Sequence, residues 1–156
     1  MNTVFHACYA IALSLWTGGI TLFTFVITPV IFRSYGRDMA GKIVGKLFPG
    51  YFLYNLLISI AVFILYFTVR SMLTARGSRW SLVLIIAALI INVFVTFKLH
   101  PDIRKVKQEI HSFETLSEDS PERRTFRRLH AVSAVLNLIL LADGAVLILL
   151  SNGFRQ

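Results

Sequence analysis

Residues 80–99 have the sequence WSLVLIIAALIINVFVTFKL, a run of 20 residues in which Lys98 is the only charged side chain. About 20 predominantly apolar residues are enough for a helix to cross the hydrocarbon core of a bilayer. Runs of similar character lie at 4–32, 47–69 and 129–150. Because an α-helix pairs its backbone polar groups within one segment, it is the form that such runs take in lipid. The sequence therefore predicts an all-α fold, an integral membrane four-helix bundle.

The composition of the whole chain agrees with this fold. Of the 156 residues, 56% are hydrophobic, and the mean hydropathy is +0.69, which is typical of membrane proteins. The spans leave only short connections, so we expect a single transmembrane bundle domain over residues 1–156. No nucleophile lies beside a base and no glycine-rich phosphate loop occurs, so we expect no enzymatic activity. Cys8 is the only cysteine, which excludes an intramolecular disulfide.

The net charge of +8 belongs to the segments between the spans. Twelve of the 16 Lys and Arg residues fall in or beside the connections 33–46 and 100–128, and four lie at the opposite end. Positively charged connections stay in the cytoplasm, so we expect a multi-pass protein of the cell (inner) membrane with both termini outside. These charges suit anionic lipids as partners, and we do not expect nucleic acid.

The connection between spans three and four predicts a helix of its own. Apolar residues at Ile103, Val106, Ile110 and Phe113 have helical spacing, with charges on the other face. This amphipathic cytoplasmic helix either lies on the membrane surface or extends span three past the proline at position 101.

Proline and serine positions predict where other helices begin and end. Ser120 followed by proline predicts the start of the fourth helix. Pro29 is expected to kink or end the first span, and Pro49 to lie in the first turn of the second helix. Residues 76–79, RGSR, predict a turn at the outer end.

Each span carries one hydrogen-bonding side chain at nearly the same depth. Counted from the cytoplasmic ends of the spans, Thr24, Asn55, Asn92 and Asn137 all lie about 12 Å into the bilayer. One interpretation is a ring of interhelical hydrogen bonds that fixes the bundle. The other is a polar chamber that binds a ligand or passes a solute. The sequence leaves both open.

Asp143 is the one acidic residue deep within a span. A lone carboxylate there has no basic residue at matching depth, and burial disfavours its charged form. One interpretation is a neutral acid that is hydrogen-bonded to Ser14, Thr17 or Ser59. The other is a proton relay or a cation site. We treat Asp143 as a candidate binding residue together with the four polar side chains of the central level.

Two histidines end spans three and four on the same side of the membrane. If those helices are neighbours, His100 and His130 provide a pair of imidazoles that could ligate haem b or a metal ion. Interface histidines also commonly bind lipid headgroups, backbone or water. His6 lies near the opposite face and His111 on the amphipathic helix, so neither joins this pair. We expect no cofactor, with haem or a metal ion as the alternative.

Two motifs and two shorter features carry a family resemblance. The motifs are residues 46–52, KLFPGYF, and residues 126–130, FRRLH, which lead through Ser133 to Asn137. Trp16 with Gly19, and His100 with the proline that follows it, agree in position. On these residues the chain resembles the transmembrane-protein-205-like family of small four-span membrane proteins. The resemblance implies a four-helix membrane bundle and a role in transport or export, including that of metal-containing compounds.

A more distant similarity links such bundles to copper-resistance membrane proteins and to haem-binding, protoporphyrinogen-oxidising ones. Those proteins carry a histidine seven residues before a Trp-x-x-Gly motif, a position that Tyr9 occupies in this sequence. We therefore expect a bundle that binds or transports a small solute through its polar layer. The alternatives are a haem- or metal-binding redox protein and a structural accessory subunit, in a homo-oligomer or a membrane complex.

Overall fold

The computed structural model describes residues 2–73, 75–110 and 112–152, and these residues form four long helical rods. The rods are α1 (Asn2–Leu22, Phe23–Ile27 and Thr28–Ser34), α2 (Arg37–Val69), α3 (Ala75–Phe94, Val95–Leu99 and His100–Glu109) and α4 (Pro121–Asn152). Each rod contains a segment long and apolar enough to cross a membrane. The chain is therefore a multi-pass membrane protein, and the predicted four-helix fold is confirmed.

The four helices form a closed ring in chain order. α1 packs against α2 and α4, and α3 packs against the same two helices. Short connections between consecutive helices make neighbours antiparallel, as in an up-down-up-down bundle. We call the end that carries Asn2 and Asn152 the terminal end, and the end that carries residues 33–46, 100–110 and 112–128 the basic end.

The helices are longer than the hydrocarbon core requires. The apolar helical segments contain 31 or 33 residues, which at 1.5 Å per residue makes each about 50 Å long, against a core of about 30 Å. The helices therefore extend beyond the apolar runs that the sequence defined. Much of the predicted first loop is helical for this reason, because α1 ends at Ser34 and α2 begins at Arg37.

The sequence prediction for the start of α2 is wrong. Pro49 lies inside this helix, twelve residues after its first residue, and not in its first turn. The residues before it include Ala40 and Val44, which are 0% and 4% exposed. Burial of an apolar face stabilises helical turns that local sequence alone does not specify. Residues 77–79 of the predicted turn are likewise helical, in the first turns of α3.

The third connection is partly as the sequence predicts. α4 begins at Pro121, and the Ser120 hydroxyl accepts a hydrogen bond from the Arg123 amide at 3.4 Å, which confirms the predicted helix start. The helical segment predicted after Pro101 extends α3 as far as Glu109. Its association with a membrane surface stays a prediction, and His111 lies outside the described residues.

α1 and α3 each contain a π-helical turn just before a proline and continue as α-helix beyond it. Phe23–Ile27 ends two residues before Pro29, and Val95–Leu99 ends two residues before Pro101. Proline in an α-helix removes one hydrogen bond and its ring clashes with the carbonyl four residues earlier. A π-turn shifts the carbonyls to bonds five residues apart and so relieves this conflict. Of the two outcomes expected at Pro29, the end of the span is wrong, since α1 continues to Ser34, and the kink stays a prediction.

The core divides into two clusters along the bundle axis. The cluster toward the terminal end includes Trp16, Val62, Ile85 and Leu147, all 0% or 1% exposed. The cluster toward the basic end contains several aromatic side chains in contact with one another. For example, the Phe23 ring stacks on the Tyr51 ring with 4.1 Å between ring centroids. Polar side chains lie at the boundary between the clusters and within the first one.

α1 and α4 approach most closely at Gly144. A Cβ atom built on Gly144 would overlap the methyl group of Thr17, whose hydroxyl is fixed by donation to the Leu13 carbonyl at 2.8 Å. We therefore expect Gly144→Ala to lower stability by about 1–3 kcal/mol, the usual cost of overpacking a core. Thermal unfolding of the detergent-purified protein measures this loss.

Two further variants make the test specific. A Cβ on Gly18 would meet nothing within 4 Å, so Gly18→Ala should cost no stability. Thr17→Ser removes the obstructing methyl group and keeps the hydroxyl, so it should restore stability to the Gly144→Ala protein. Equal losses for the two glycine variants, or no rescue, would contradict the close approach.

Candidate functional site

The central polar level contains a closed hydrogen-bond network across three helices. Asn137 of α4 donates its amide to the Thr24 hydroxyl of α1 at 2.7 Å, and its oxygen accepts a bond from the Tyr51 hydroxyl of α2 at 2.5 Å. Thr24 lies in the π-helical turn of α1. The structure therefore joins two of the four side chains that the sequence placed at this level. Tyr51, which the sequence prediction did not include, contributes the bond from α2.

Asn92 lies outside this network, and Asn55 lies near the Tyr51 hydroxyl. Asn55 and Asn92 are 1% and 2% exposed. Asn55 donates to the carbonyl of Tyr51 in its own helix at 3.0 Å. The Asn55 side-chain oxygen, the Asn92 amide nitrogen and the Thr96 hydroxyl are buried and have no hydrogen-bond partner among the described residues. A buried polar group without a partner costs about 1–3 kcal/mol, so these three atoms are available to a bound molecule.

Asp143 lies in the core at the terminal half of the bundle. It shares a face of α4 with Leu140 and Leu147, which are 3% and 0% exposed, and is itself 8% exposed. Both carboxyl oxygens are buried and lack a hydrogen-bond partner among the described residues.

The hydroxyl groups that the sequence suggested as partners of Asp143 are engaged elsewhere or exposed. Thr17 donates to the carbonyl of Leu13, Ser59 donates to that of Leu56 at 2.8 Å, and Ser14 lies in an exposed position. The structure therefore differs from the expected internal hydrogen bond. These hydroxyls find acceptors within one turn of their own helices, which is the usual local alternative for serine and threonine.

Two aromatic side chains of α1 lie where this helix meets α4. Tyr9 and Trp16 are 1% and 0% exposed, and the Tyr9 hydroxyl and the indole N–H are buried without a partner among the described residues. Tyr9 lies close enough to Tyr66 and Asp143 for electrostatic interaction with both. A Cβ on Gly144 would lie 3.9 Å from the Trp16 ring. We call Tyr9, Trp16 and Asp143 the acid pocket, a name for the three side chains and not for a cavity.

The role of the two aromatic residues was not predictable from hydropathy, because both are ordinary core residues on that scale. The usable signal was their spacing. Seven residues apart, Tyr9 and Trp16 occupy the same face of α1 two turns from each other. A carboxyl group in a membrane bundle usually faces the bundle interior. Asp143 is therefore expected to lie against a buried helix face such as this one.

The two candidate histidines line one cavity at the basic end. His100 lies 5.1 Å from the Phe52 ring, and His130 stacks on Phe126 at 5.8 Å between ring centroids. The cavity has a volume of about 1100 Å³. The structure thus brings His100 and His130 to the same space. Among the described residues no group of three or more His, Cys, Asp and Glu side chains has the spacing of a metal site.

Residues 11–112 match the model of a family described as a domain of unknown function, DUF4149. The chain belongs to this family. The matched stretch contains Thr24, Asn55, Asn92 and His100, together with Trp16 and Tyr51. The candidate residues of α4 lie beyond it, as does Tyr9 at the other end. No curated protein and no solved structure matches the chain.

The difference between bonded and unbonded asparagines predicts different costs of replacement. Asn137→Leu removes two interhelical hydrogen bonds and should lower stability by about 1–3 kcal/mol. Asn92→Leu removes an amide nitrogen that has no partner among the described residues, so the melting temperature should stay the same or rise. Thermal unfolding of the two variants in one detergent measures both effects. Equal destabilisation by the two substitutions would show that Asn92 belongs to the closed network.

Proposed function

We propose that this protein binds a small cationic solute at the acid pocket and moves it through the bundle along the central polar level. The observation that carries the proposal is the Asp143 carboxyl group, buried in the core with neither oxygen hydrogen-bonded to a described residue. An ionisable side chain inside a membrane bundle is expensive and usually marks an ion or substrate pathway. The pocket is therefore the first place to seek a ligand.

The chemistry of the acid pocket favours a cation that donates hydrogen bonds. Asp143 offers two acceptor oxygens, and the rings of Tyr9 and Trp16 stand on the adjoining face of α1. Aromatic faces attract ammonium and guanidinium groups, with energies of about 2 kcal/mol or more where water is excluded. A carboxylate beside two such rings suits a small organic cation better than a sugar or an anion.

The open part of the central polar level offers the next contacts toward the basic end. The Asn55 oxygen can accept a hydrogen bond, the Asn92 amide nitrogen can donate one, and the Thr96 hydroxyl can do both. All three are buried in the bundle. A solute that leaves Asp143 toward the basic end would meet these groups beside the closed network of Thr24, Tyr51 and Asn137. The resemblance to the transmembrane-protein-205-like family, with its implied role in export, is consistent with such a path.

Ligand binding by isosteric variants tests the proposal. We expect guanidinium, methylammonium or tetramethylammonium to raise the melting temperature of the purified protein. Asp143→Asn keeps the shape of the side chain but removes its charge, and should weaken this binding by about tenfold or more. Asp102→Asn is the matched control, since Asp102 forms a surface ion pair with Lys98 within α3. It should bind the cations as the parent protein does.

A second variant separates binding from transport. Asn92→Leu should fold normally and bind the cation at Asp143, yet reduce its flux into proteoliposomes. Unchanged binding in Asp143→Asn would overturn the cation site, and unchanged flux in Asn92→Leu would overturn the path. If neither variant changes either measurement, the remaining candidate is a structural subunit, and stoichiometric copurification of a membrane partner would support it.

We further propose that the basic end faces the cytoplasm of a cell (inner) membrane, with both termini outside. The asymmetry of Lys and Arg between the two ends supports this orientation. A Cys8→Ser, Ser117→Cys protein provides one thiol in the exposed turn before α4. An impermeant maleimide should label it only after the cells are opened. Labelling in intact cells would reverse the orientation.

A further inference from the structure

The cavity at the basic end contains none of the side chains assigned to the proposed solute path. It is bounded by the end of α1, the first turns of α2, the segment His100–Glu109 of α3 and the first turns of α4. Its volume of about 1100 Å³ is slightly above the usual range of about 300–1,000 Å³ for ligand pockets. All four helices contribute to it at the level where they leave the apolar runs.

Four cationic side chains line this cavity: Lys42, Lys46, Arg104 and Lys107. The first three are exposed at its rim, and none of them forms a salt bridge within the described part of the chain. Elsewhere the connection does use ion pairs, for example Arg124 with Asp119 at 3.2 Å. Lys42 lies near Asp38, but none of the three rim cations is neutralised by a salt bridge within the described residues.

Two acidic residues also line the cavity, and one of them is fully engaged. The carboxylate of Asp38 accepts hydrogen bonds from the Ser112 hydroxyl and from the Phe113 amide, each at 2.6 Å. Those bonds hold the third connection against the start of α2. Glu114 is the other acid and is exposed. Positive charge thus exceeds negative charge on the cavity wall, and the expected ligand is an anion.

Lys107 is built into the wall more deeply than the rim cations. Its ammonium group donates a hydrogen bond to the carbonyl of Gly41, and a Cβ on Gly45 would lie 2.8 Å from the same nitrogen. An alanine at position 45 would displace the ammonium from this place on α2. An ammonium has three donors, so further donors remain for a ligand in the cavity.

The rest of the wall is apolar. Ile103 is 8% exposed, and Phe48 and Phe126 are half-buried beside it in the same core cluster. A cavity with cations on one side and aromatic and aliphatic side chains on the other is suited to an amphiphile. Basic pockets between membrane helices on the cytoplasmic side bind anionic lipid headgroups.

We propose that this cavity is a specific site for a phospholipid with an anionic headgroup. Lys107 and the rim cations Lys42, Lys46 and Arg104 contact the phosphate, and the first part of an acyl chain lies along Phe48 and Ile103. The site is independent of the acid pocket, so it stands whether or not a cation binds at Asp143. A free phosphate compound shares the headgroup chemistry but makes no use of the apolar wall.

Titration of the detergent-purified protein with short-chain lipids tests the site. Dioctanoyl-phosphatidylglycerol should raise the melting temperature in a saturable manner, and the zwitterionic dioctanoyl-phosphatidylcholine should not. Glycerol 3-phosphate and inorganic phosphate are water-soluble controls without an acyl chain, and they should have little effect. If they stabilise the protein as much as the anionic lipid does, the cavity is a site for a soluble phosphate compound.

Matched triple substitutions locate the binding. One triple variant should weaken binding of the anionic lipid by about tenfold or more; it combines Lys42→Gln, Lys46→Gln and Arg104→Gln. Lys105→Gln, Arg127→Gln and Arg128→Gln remove the same charge from exposed positions outside the cavity, and should weaken it less than about threefold. Equal losses in the two triple variants would reduce the effect to general surface attraction and overturn the site.

An absorption spectrum of the same preparation tests haem b as a competing occupant of the cavity. Haem b held by His100 and His130 would fill this space and would give the protein a Soret absorption band that His130→Ala abolishes. We expect no such band and a lipid adduct in native mass spectrometry. A stoichiometric Soret band would overturn the lipid assignment.

Discussion

The rest of the structure depends on one constraint, which is that a bilayer offers no hydrogen-bond partners to a polar group. Each polar side chain inside the bundle must therefore find a partner within the protein or in a ligand. Asn137 satisfies the constraint twice, through Thr24 and Tyr51. Thr17 and Ser59 satisfy it within their own helices. Asp143 and the Asn92 amide do not satisfy it within the described residues, and this contrast separates polar groups that hold the bundle from polar groups that can act.

The amino-acid sequence predicts the fold because bilayer physics leaves few alternatives. Apolar runs of about 20 residues specify spanning helices with little reference to tertiary contacts, and the structure has such a helix at each predicted run. Helix ends were less predictable. Pro29, Pro49 and Pro101 all signal a helix boundary in a single sequence, yet the helices continue through all three. The signals that override them, π-turns and burial of Ala40 and Val44, appear only in three dimensions.

Depth along the helix axis was predictable, but rotation about the axis was not. Counting residues put Thr24, Asn55, Asn92 and Asn137 at one level, and Thr24 does meet Asn137 there. Whether a side chain faces a partner depends on its rotation, and a π-turn changes that rotation by one residue. On α2, Tyr51 bonds to Asn137, while Asn55, one turn later, donates a hydrogen bond to its own backbone. The aromatic neighbours of Asp143 were missed for a related reason, since hydropathy does not reveal which residues of a buried face meet an acid.

The two π-turns connect the helix geometry to the candidate site. Thr24 lies within Phe23–Ile27 and Thr96 within Val95–Leu99, so each π-turn places a hydroxyl group at the central polar level. π-Turns are less favourable than α-helix and are retained mostly where they position a functional group. Here the prolines that follow them supply a local reason for the wide turn. The π-turn of α1 places Thr24 in the closed network, and the π-turn of α3 contains Thr96, whose buried hydroxyl has no partner in the described part of the chain. Each π-turn thus contributes a threonine to the central polar level. The polar groups of this level that lack a partner among the described residues lie on α2 and α3, between the acid pocket and the basic end.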